Sequence, residues 1–304
     1  MLKTNTLLFI FAFSFFVKAQ ESKKTFTANW SVGDQKVYLH ELQKTVRKND
    51  STFYDEPTSF KTIVNVKEET PETFILDIKY FNLAYKLATY IYKNTKNVLP
   101  ELEHINYTYS FNKTDYSLEL LNWKEVKKQY KKSAKKIENY FLYDIKEKDS
   151  KMAPLGGTMY SYIGGPIEKL KVAYSSKEKI EEIMKSEIAF IFESYGKEFV
   201  IDMDDSSEKI VPMKKLETES LKTITTKNNS DIDAEGHFSS KNESVYFIVK
   251  NENTEQKPNG SYKKATEIDQ LNFSSGWLTR HSFEVVTFIS NKFLKGDKTT
   301  ITLQ

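Results

Sequence analysis

Apolar and polar side chains alternate along much of the chain, and this two-residue period constrains the fold more than any other feature of the sequence. Successive side chains of a strand point to opposite faces, so the apolar positions of residues 74–80 share one face while Asp77 and Lys79 share the other. Similar segments are residues 60–66, 105–111, 245–249, 277–288 and 299–303. With weaker segments included, the pattern predicts about ten to thirteen strands, a number typical of sandwiches and large curved sheets.

Two segments interrupt this alternation with helical periodicity. In residues 123–141, apolar side chains recur at three-, four- and seven-residue spacings behind Asn122, a residue type suited to cap a helix. The second segment begins with a capping-box pair, Ser175 and Glu178, and its apolar stripe ends before Gly196. Each segment has one apolar side, so we expect both helices to pack on a sheet.

Residues 153–166 lie between these helices and predict a long loop, because they contain four of the ten glycines and two of the seven prolines. The whole pattern predicts an α+β fold, in which two amphipathic helices pack on a large curved antiparallel β-sheet. We expect residues 20–304 to form a single α+β domain. A subdivision near residues 203–230, where short polar residues cluster, is the alternative.

The first 19 residues have the anatomy of a secretory signal peptide. Lys3 supplies the positive charge, and residues 7–17 form an apolar run. This run is far shorter than the roughly 20 apolar residues that cross a bilayer, so it predicts a cleavable leader. The compact residues that end at Ala19 place the cleavage directly after it. We therefore expect the mature chain to be exported, periplasmic or extracellular, and without a transmembrane span.

Composition excludes several functional classes. The chain has no cysteine, which excludes a disulfide framework, a zinc ribbon, an iron–sulfur cluster and a cysteine nucleophile. Its 45 basic residues are balanced by 42 acidic ones, so the charge gives no field for binding nucleic acid. Aromatic residues at 14% favour a packed core over disorder.

Short motifs identify neither a catalytic residue nor a metal or cofactor site. His40 and Glu41 begin like the H-E-x-x-H zinc motif, but Lys44 stands where the second histidine is needed. The acidic turn at Asp231 begins like a calcium loop, but Asn242 occupies the position of its bidentate glutamate. A site could still be assembled in space, because its members need not be adjacent in sequence. The histidines that could contribute are His40, His104, His237 and His281.

Lysine doublets recur every four residues on the polar face of the first predicted helix. A solvated helix face explains this pattern most simply. The alternative is contact with an anionic surface such as lipid headgroups, to which each lysine contributes about 1 kcal/mol. The residues of this lysine stripe are Lys127, Lys128, Lys131, Lys132, Lys135 and Lys136.

The order of the elements is distinctive. Trp30-Ser31-Val32-Gly33-Asp34 precedes a strand, long hairpins and a helical middle follow, and Gly276-Trp277 leads into the final strands. This organisation resembles that of uncharacterised exported β-rich proteins of the Bacteroidota. It is similar in turn to the outer-membrane lipoprotein carriers of the LolA-like fold. The resemblance implies a concave sheet face that is lined by apolar side chains and closed by helices.

We therefore predict a non-enzymatic, exported cell-envelope protein that binds a lipid or a lipoprotein acyl chain on the sheet face. The residues expected to line this face are Phe74, Leu76, Ile78, Tyr80, Trp123, Val126 and Tyr130. One alternative is an envelope protein-protein interaction or structural module without a pocket. Another is a hydrolase with a spatially assembled site, which a cleft that gathers histidine with carboxylates would favour.

Overall fold

The structure, a computed structural model, describes residues 22–48, 51–54, 57–145, 151, 153–201, 211–212, 232–236, 246–256, 261–289 and 292–304. Its strands are β1 (Ser22–Thr25), β2 (Gln35–Lys48), β3 (Ser51–Tyr54), β4 (Thr58–Glu69), β5 (Thr73–Phe81), β6 (His104–Asn112), β7 (Leu118–Leu120), β8 (Glu198–Ile201), β9 (Val211–Pro212), β10 (Ile232–Gly236), β11 (Tyr246–Gln256), β12 (Ser261–Asn272), β13 (Trp277–Ile289) and β14 (Lys292–Leu303). Its α-helices are α1 (Leu83–Ile91), α2 (Thr95–Val98), α3 (Trp123–Asn139), α4 (Gly156–Ala173) and α5 (Lys177–Phe192). The predicted leader and most of residues 203–230 lie outside the described residues.

One antiparallel sheet of 12 strands organises the fold, which confirms the prediction of an α+β fold with a large antiparallel sheet. Its order is β7-β6-β5-β4-β2-β14-β13-β12-β11-β10-β9, and β3 pairs with β2 beside this path. β1 and β8 form a separate two-stranded sheet. We call β2 and β4 to β7 the covered half and β9 to β13 the outer half. β14 joins them, because it pairs with β2 on one side and β13 on the other.

In the covered half, the two-residue period places one face of the sheet in the core. Phe74, Leu76 and Ile78 of β5 are at most 2% exposed, whereas Lys79 on the other face is exposed. Helix α3 packs against β6, and α5 packs against β7 and β13. This cover fixes the register, because a slip of one residue would move the apolar side chains to the face of the sheet that is exposed to solvent.

The outer half has much less cover. Every residue of β12 from Tyr262 to Ile268 is partly exposed, on both faces of the strand. The same holds for β13 from Glu284 to Phe288. The buried face of the sheet therefore ends close to α5.

The first predicted helix is α3, which begins at Trp123 and continues beyond Asn139 as a π-helical turn. Asn122 stands at the N-cap position, but its side chain makes no capping hydrogen bond to the helix. Its side-chain oxygen instead accepts from the Thr108 N–H of β6 at 2.8 Å. Asn122 therefore fixes the start of the helix against the sheet.

The second predicted helix is α5, and its N-cap is Ser176 rather than Ser175. The Ser176 Oγ accepts from the Lys179 N–H at 3.4 Å. Its fully buried stripe comprises Ile180, Met184, Ile188 and Ile191. After the helix, Gly196 has a φ of +78°, and a Cβ there would lie 2.5 Å from the Tyr116 ring. Only glycine fits this backbone and this space.

The prediction of a long loop before the second helix is wrong, because α4 occupies most of it. The glycines there allow close packing: a Cβ on Gly156 would lie 2.6 Å from the Ile145 side chain. Pro166 lies inside the helix, where it removes a backbone hydrogen bond. Burial of Ile163 and Ile167 overrides this weak local propensity.

Helix α1 was not predicted either. Its N-cap is Asn82, whose side-chain oxygen accepts from the Ala84 N–H at 3.1 Å. The same side chain donates to the Leu102 carbonyl at 2.8 Å. Asn82 therefore caps the helix and also connects it to the segment before β6. An asparagine directly before a non-alternating run was the available signal. No helix in the described part of the chain is long and apolar enough to cross a lipid bilayer.

Two separate sequence motifs meet in one aromatic cluster. Trp30 stacks on Trp277 with ring centroids 4.5 Å apart, and its Nε1–H donates to the Gly276 carbonyl at 2.9 Å. Gly276 has a φ of +64°, and a Cβ there would lie 2.4 Å from the Asn29 nitrogen. Glycine is therefore needed both for the turn and for the close approach of the N-terminal segment. The cluster joins the start of the described chain to the turn between β12 and β13.

Candidate functional site

A cavity of about 380 Å³ lies between α5 and the sheet, where the covered half meets β14 and the outer half. Its rings and aliphatic side chains include Leu42, Phe60, Tyr80, Phe190, Phe283 and Ile301. Its titratable side chains include His40, Lys86, Glu187, Glu193, Glu267 and His281. The volume is within the range of small-molecule sites, roughly 300–1,000 Å³.

Strand register explains why these residues converge. His40 on β2 pairs with Ile301 on β14, which pairs with His281 on β13 and, through it, with Asp269 on β12. A parallel row two residues along carries Leu42, Thr299, Phe283 and Glu267. Neighbouring strands are about 4.8 Å apart, so the two histidines, two strands apart, lie on the same face of the sheet and both border the cavity.

Aromatic rings contact both histidines. His40 stacks on Phe60 with centroids 4.3 Å apart and planes 15° apart. Phe190 of α5 lies 5.5 Å from the His40 ring and 5.4 Å from the His281 ring. The Lys86 Nζ lies 5.3 Å from the centroid of Phe60, within the range of a cation–π contact. Helix α5 therefore closes the cavity with an aromatic side chain.

His40 is a neutral member of this site. It is 2% exposed, and its Nε2 lies 2.7 Å from the Thr62 Oγ1. Burial lowers the pKa of His40 to about 3, and the positive charges of Lys86 and His281 contribute to this shift. A neutral imidazole can accept or donate a hydrogen bond but adds no charge to the cavity.

His281 has the opposite electrostatic setting. Its Nδ1 lies 2.7 Å from an Asp269 carboxylate oxygen and 3.8 Å from a Glu267 oxygen. Burial lowers the pKa of His281, but the hydrogen bond to Asp269 and the surrounding carboxylates outweigh this effect and raise the pKa above its usual value. The His281 and Asp269 side chains are 9% and 10% exposed. This arrangement can orient an imidazole for proton transfer, or hold a cation between its donor atoms.

Glu187 of α5 is held to the sheet by the Tyr80 hydroxyl, which donates to its carboxylate. Burial and the Glu187 charge raise the pKa of Tyr80 far above its ordinary value. Tyr80 therefore stays protonated and remains a donor. This hydrogen bond fixes the part of α5 that borders the cavity.

The seven residues predicted to line a cavity all lie in the described part of the chain, and one of them, Tyr80, lines this one. The other six do not border it. Phe74, Leu76, Ile78, Val126 and Tyr130 are at most 2% exposed within the core, and Trp123 is partly buried against that core. Ligand contact by these residues stays a prediction.

The predicted lysine stripe lies on the outer side of α3. Four of its residues, Lys128, Lys131, Lys132 and Lys135, are exposed. At the two ends, the Lys127 Nζ donates to the Ser175 carbonyl at 2.5 Å, and the Lys136 Nζ lies 3.0 Å from Glu101. The stripe and the cavity are therefore separate surfaces, and binding to an anionic surface stays a prediction.

Glu267, Asp269 and His281 were not predicted as a group. A weak signal was available: Glu267 and Asp269 are two residues apart in an alternating strand and therefore share a face. Their meeting with His281 depends on the register of β12 against β13, which the sequence pattern does not specify. These three residues are the group in the described chain whose donor atoms could hold a metal ion.

Comparison with known proteins found no match to a protein-family model and no significant match to a curated protein. The function of the protein is therefore inferred from the geometry of the cavity.

Proposed function

We propose that this protein binds a small amphipathic ligand of the lipid or acyl-chain class in the cavity between α5 and the sheet. The observation that carries the proposal is the cavity itself, about 380 Å³ of open space beside the covered half of the sheet, whose inner face is otherwise filled by buried side chains. A sheet face with no remaining space would favour an interaction module instead.

The lining has two chemically different parts. Phe60, Phe190 and Ile301 provide an apolar surface for the body of the ligand. Displacing water from such a surface contributes roughly 25 cal/mol per Å². Lys86 on one side and Glu267 on the other provide charged groups that can receive a polar head. This division supports an amphipathic ligand rather than a purely apolar one.

The place of action follows from the leader. We propose export through the signal peptide at residues 1–19, which makes a lipid or acyl chain of the cell envelope the natural source of ligand. The exported protein should begin at Gln20, and N-terminal sequencing of material recovered outside the cytoplasm checks this. Recovery of the uncleaved chain would remove this part of the proposal.

Displacement of a fluorescent fatty acid from delipidated protein tests ligand binding. Dodecanoic acid, dodecanol and dodecylamine have the same chain length and differ in the polar head. The order of their affinities therefore reports which charged group of the protein receives the head. We expect at least one of them to displace the probe with a stoichiometry of about one per chain. Failure of the protein to take up the probe would remove the proposal.

Ala189→Phe supplies the matched variant, because Ala189 borders the cavity from α5 and a phenyl ring would fill it. We expect displacement to weaken at least about tenfold, since the apolar contact area is lost. Glu182→Phe places the same ring on the exposed side of the same helix and should leave binding unchanged. Equal affinity in the two variants would place the ligand elsewhere.

A hydrolase is the second candidate, and the contact between His281 and Asp269 favours it. Among the described residues, His281 has no hydrogen bond to a hydroxyl group, so its nucleophile would be water. The methyl ester of dodecanoic acid tests this candidate with the same chain. Release of acid by the wild type, lost in His281→Gln, would establish catalysis; no release by the wild type would leave ligand binding as the function.

A further inference from the structure

We propose that Glu267, Asp269 and His281 form a binding site for one divalent transition-metal ion at the outer end of the cavity. This inference does not depend on the lipid-class ligand, because the metal alone is its probe.

The three side chains converge from two adjacent strands. Glu267 and Asp269 share one face of β12, and His281 lies directly opposite Asp269 on β13. One donor atom from each residue lies within 4.8 Å of the other two. Small side-chain movements can bring such atoms to the roughly 2.0–2.2 Å distances at which imidazole nitrogen and carboxylate oxygen bind Zn²⁺.

The donors are held in place before any metal arrives. They stand on paired strands, and both Asp269 and His281 are buried. The register of β12 against β13 shifts between Gln270 and Leu271, one residue beyond Asp269. Bulges of this kind re-aim side chains and are over-represented near active sites. The donor set therefore needs little reorganisation.

The charges favour a cation. Glu267 and Asp269 bring two carboxylates, and Glu193, which directly follows α5, is a third carboxylate close enough to affect His281. Lys86, the cation that lines the cavity, is placed over Phe60 at 5.3 Å, on the far side of the site.

The position also leaves room for further ligands. Glu267 and His281 border the cavity, so two of the three protein donors face open space on one side. Three donors with an open position are typical of reactive or ligand-exchanging metal sites, whereas structural zinc sites are closed by four. One imidazole and two carboxylates suit Zn²⁺, Mn²⁺ or Fe²⁺ better than a soft metal.

Calorimetric titration of the chelator-treated protein with Zn²⁺ tests the proposal, and visible absorption of the Co²⁺-loaded protein reports its coordination. We expect one ion per chain, with Co²⁺ bands typical of nitrogen and oxygen donors. His281→Gln and the milder Glu267→Gln should each weaken binding at least about tenfold. Circular dichroism of each variant verifies that it is folded. Because 28% of the Glu267 side chain is exposed, we expect Glu267→Gln to disturb folding least.

Two matched variants control for nonspecific binding. Glu284→Gln removes a carboxylate from β13 on the opposite face, and His104→Gln removes a histidine from β6 away from the cavity. Both should bind Zn²⁺ as tightly as the wild type. Absence of binding by the wild type, or equal binding by Glu267→Gln and the wild type, would overturn the proposal.

Discussion

Val64 on β4 and Val285 on β13 are both valines inside long antiparallel strands, yet Val64 is fully buried and Val285 is partly exposed. The difference lies in the layer above them, since α3 packs against β6, α5 packs against β7, and Glu187 of α5 accepts a hydrogen bond from Tyr80 of β5, whereas β13 is partly exposed from Glu284 to Phe288. Buried apolar surface stabilises the folded state by roughly 25 cal/mol per Å². The covered half should therefore hold most of the unfolding free energy, although the outer half has equally long strands.

The boundary between the halves is where the cavity forms. A complete helical layer would fill the sheet face, and a missing layer would leave an open surface. At the edge of α5, one wall comes from the helix and the floor from both halves of the sheet. The contrast in cover therefore explains both the stable core and the position of the candidate site.

The largest expected effect compares two phenylalanines. Phe111 on β6 is fully buried, whereas Phe288 on β13 is partly exposed and stacks on Tyr262 at 4.7 Å. Phe111→Ala should lower the free energy of unfolding by about 3–5 kcal/mol, because it leaves a cavity in the core. Phe288→Ala should cost about 1–2 kcal/mol, mainly through its ring pair. Urea unfolding measures both, and similar losses would contradict the contrast between the halves.

A second effect concerns His40 and acid. The pKa of His40 is about 3 in the folded protein and 6.5 as a free side chain, so between these values the unfolded chain binds a proton that the folded protein excludes. The stability that depends on neutral His40 is fully present above pH 6.5 and is lost as the pH falls towards 3. The loss attributable to His40 should reach about 3 kcal/mol at pH 4, at 1.4 kcal/mol per pH unit.

His40→Gln checks this expectation, because glutamine keeps a hydrogen-bonding group for Thr62 and cannot titrate in this range. The groups facing His40, namely Lys86, His281, Glu187 and Glu193, are the same in both proteins. The variant should be less stable at neutral pH but lose less stability on acidification. Parallel stability profiles for the wild type and the variant would show that His40 is already accessible to protons.

The smallest expected effect on stability concerns surface charge. Changing Lys128, Lys131, Lys132 and Lys135 to glutamine removes exposed charges from α3, and each change should alter stability by no more than about 0.5 kcal/mol. If the lysine stripe contacts an anionic surface, co-sedimentation with anionic vesicles should weaken at least about tenfold, since each lysine contributes about 1 kcal/mol.

The matched control removes four lysines from strands of the sheet instead of from α3. Its changes to glutamine are Lys263, Lys264, Lys295 and Lys298 on β12 and β14. Vesicle binding that depends on the stripe should survive in this control. Equal loss in both proteins, or equal recovery of the wild type on neutral and anionic vesicles, would contradict a specific role for the stripe.

Local patterns predicted the parts of the fold that depend on neighbouring residues. The alternation of Phe74, Leu76 and Ile78 gave a buried strand face, and the spacing of Ile180, Met184 and Ile188 gave α5. Both succeed because backbone geometry repeats every two or 3.6 residues. The same reasoning failed at α4, where glycine and Pro166 weaken the local helical preference and packing restores it.

By itself, the sequence determined the α+β class, the positions of most strands and the two main amphipathic helices, because these follow from periodicity and burial. Only the tertiary structure decided that β14 pairs with both β2 and β13, and thereby placed His40, His281, Asp269 and Glu267 on one face. Partners in a sheet can be far apart in the chain, and many pairings satisfy the same alternation. The choice among them is made by the packing of the whole core, and the candidate site is a consequence of that choice.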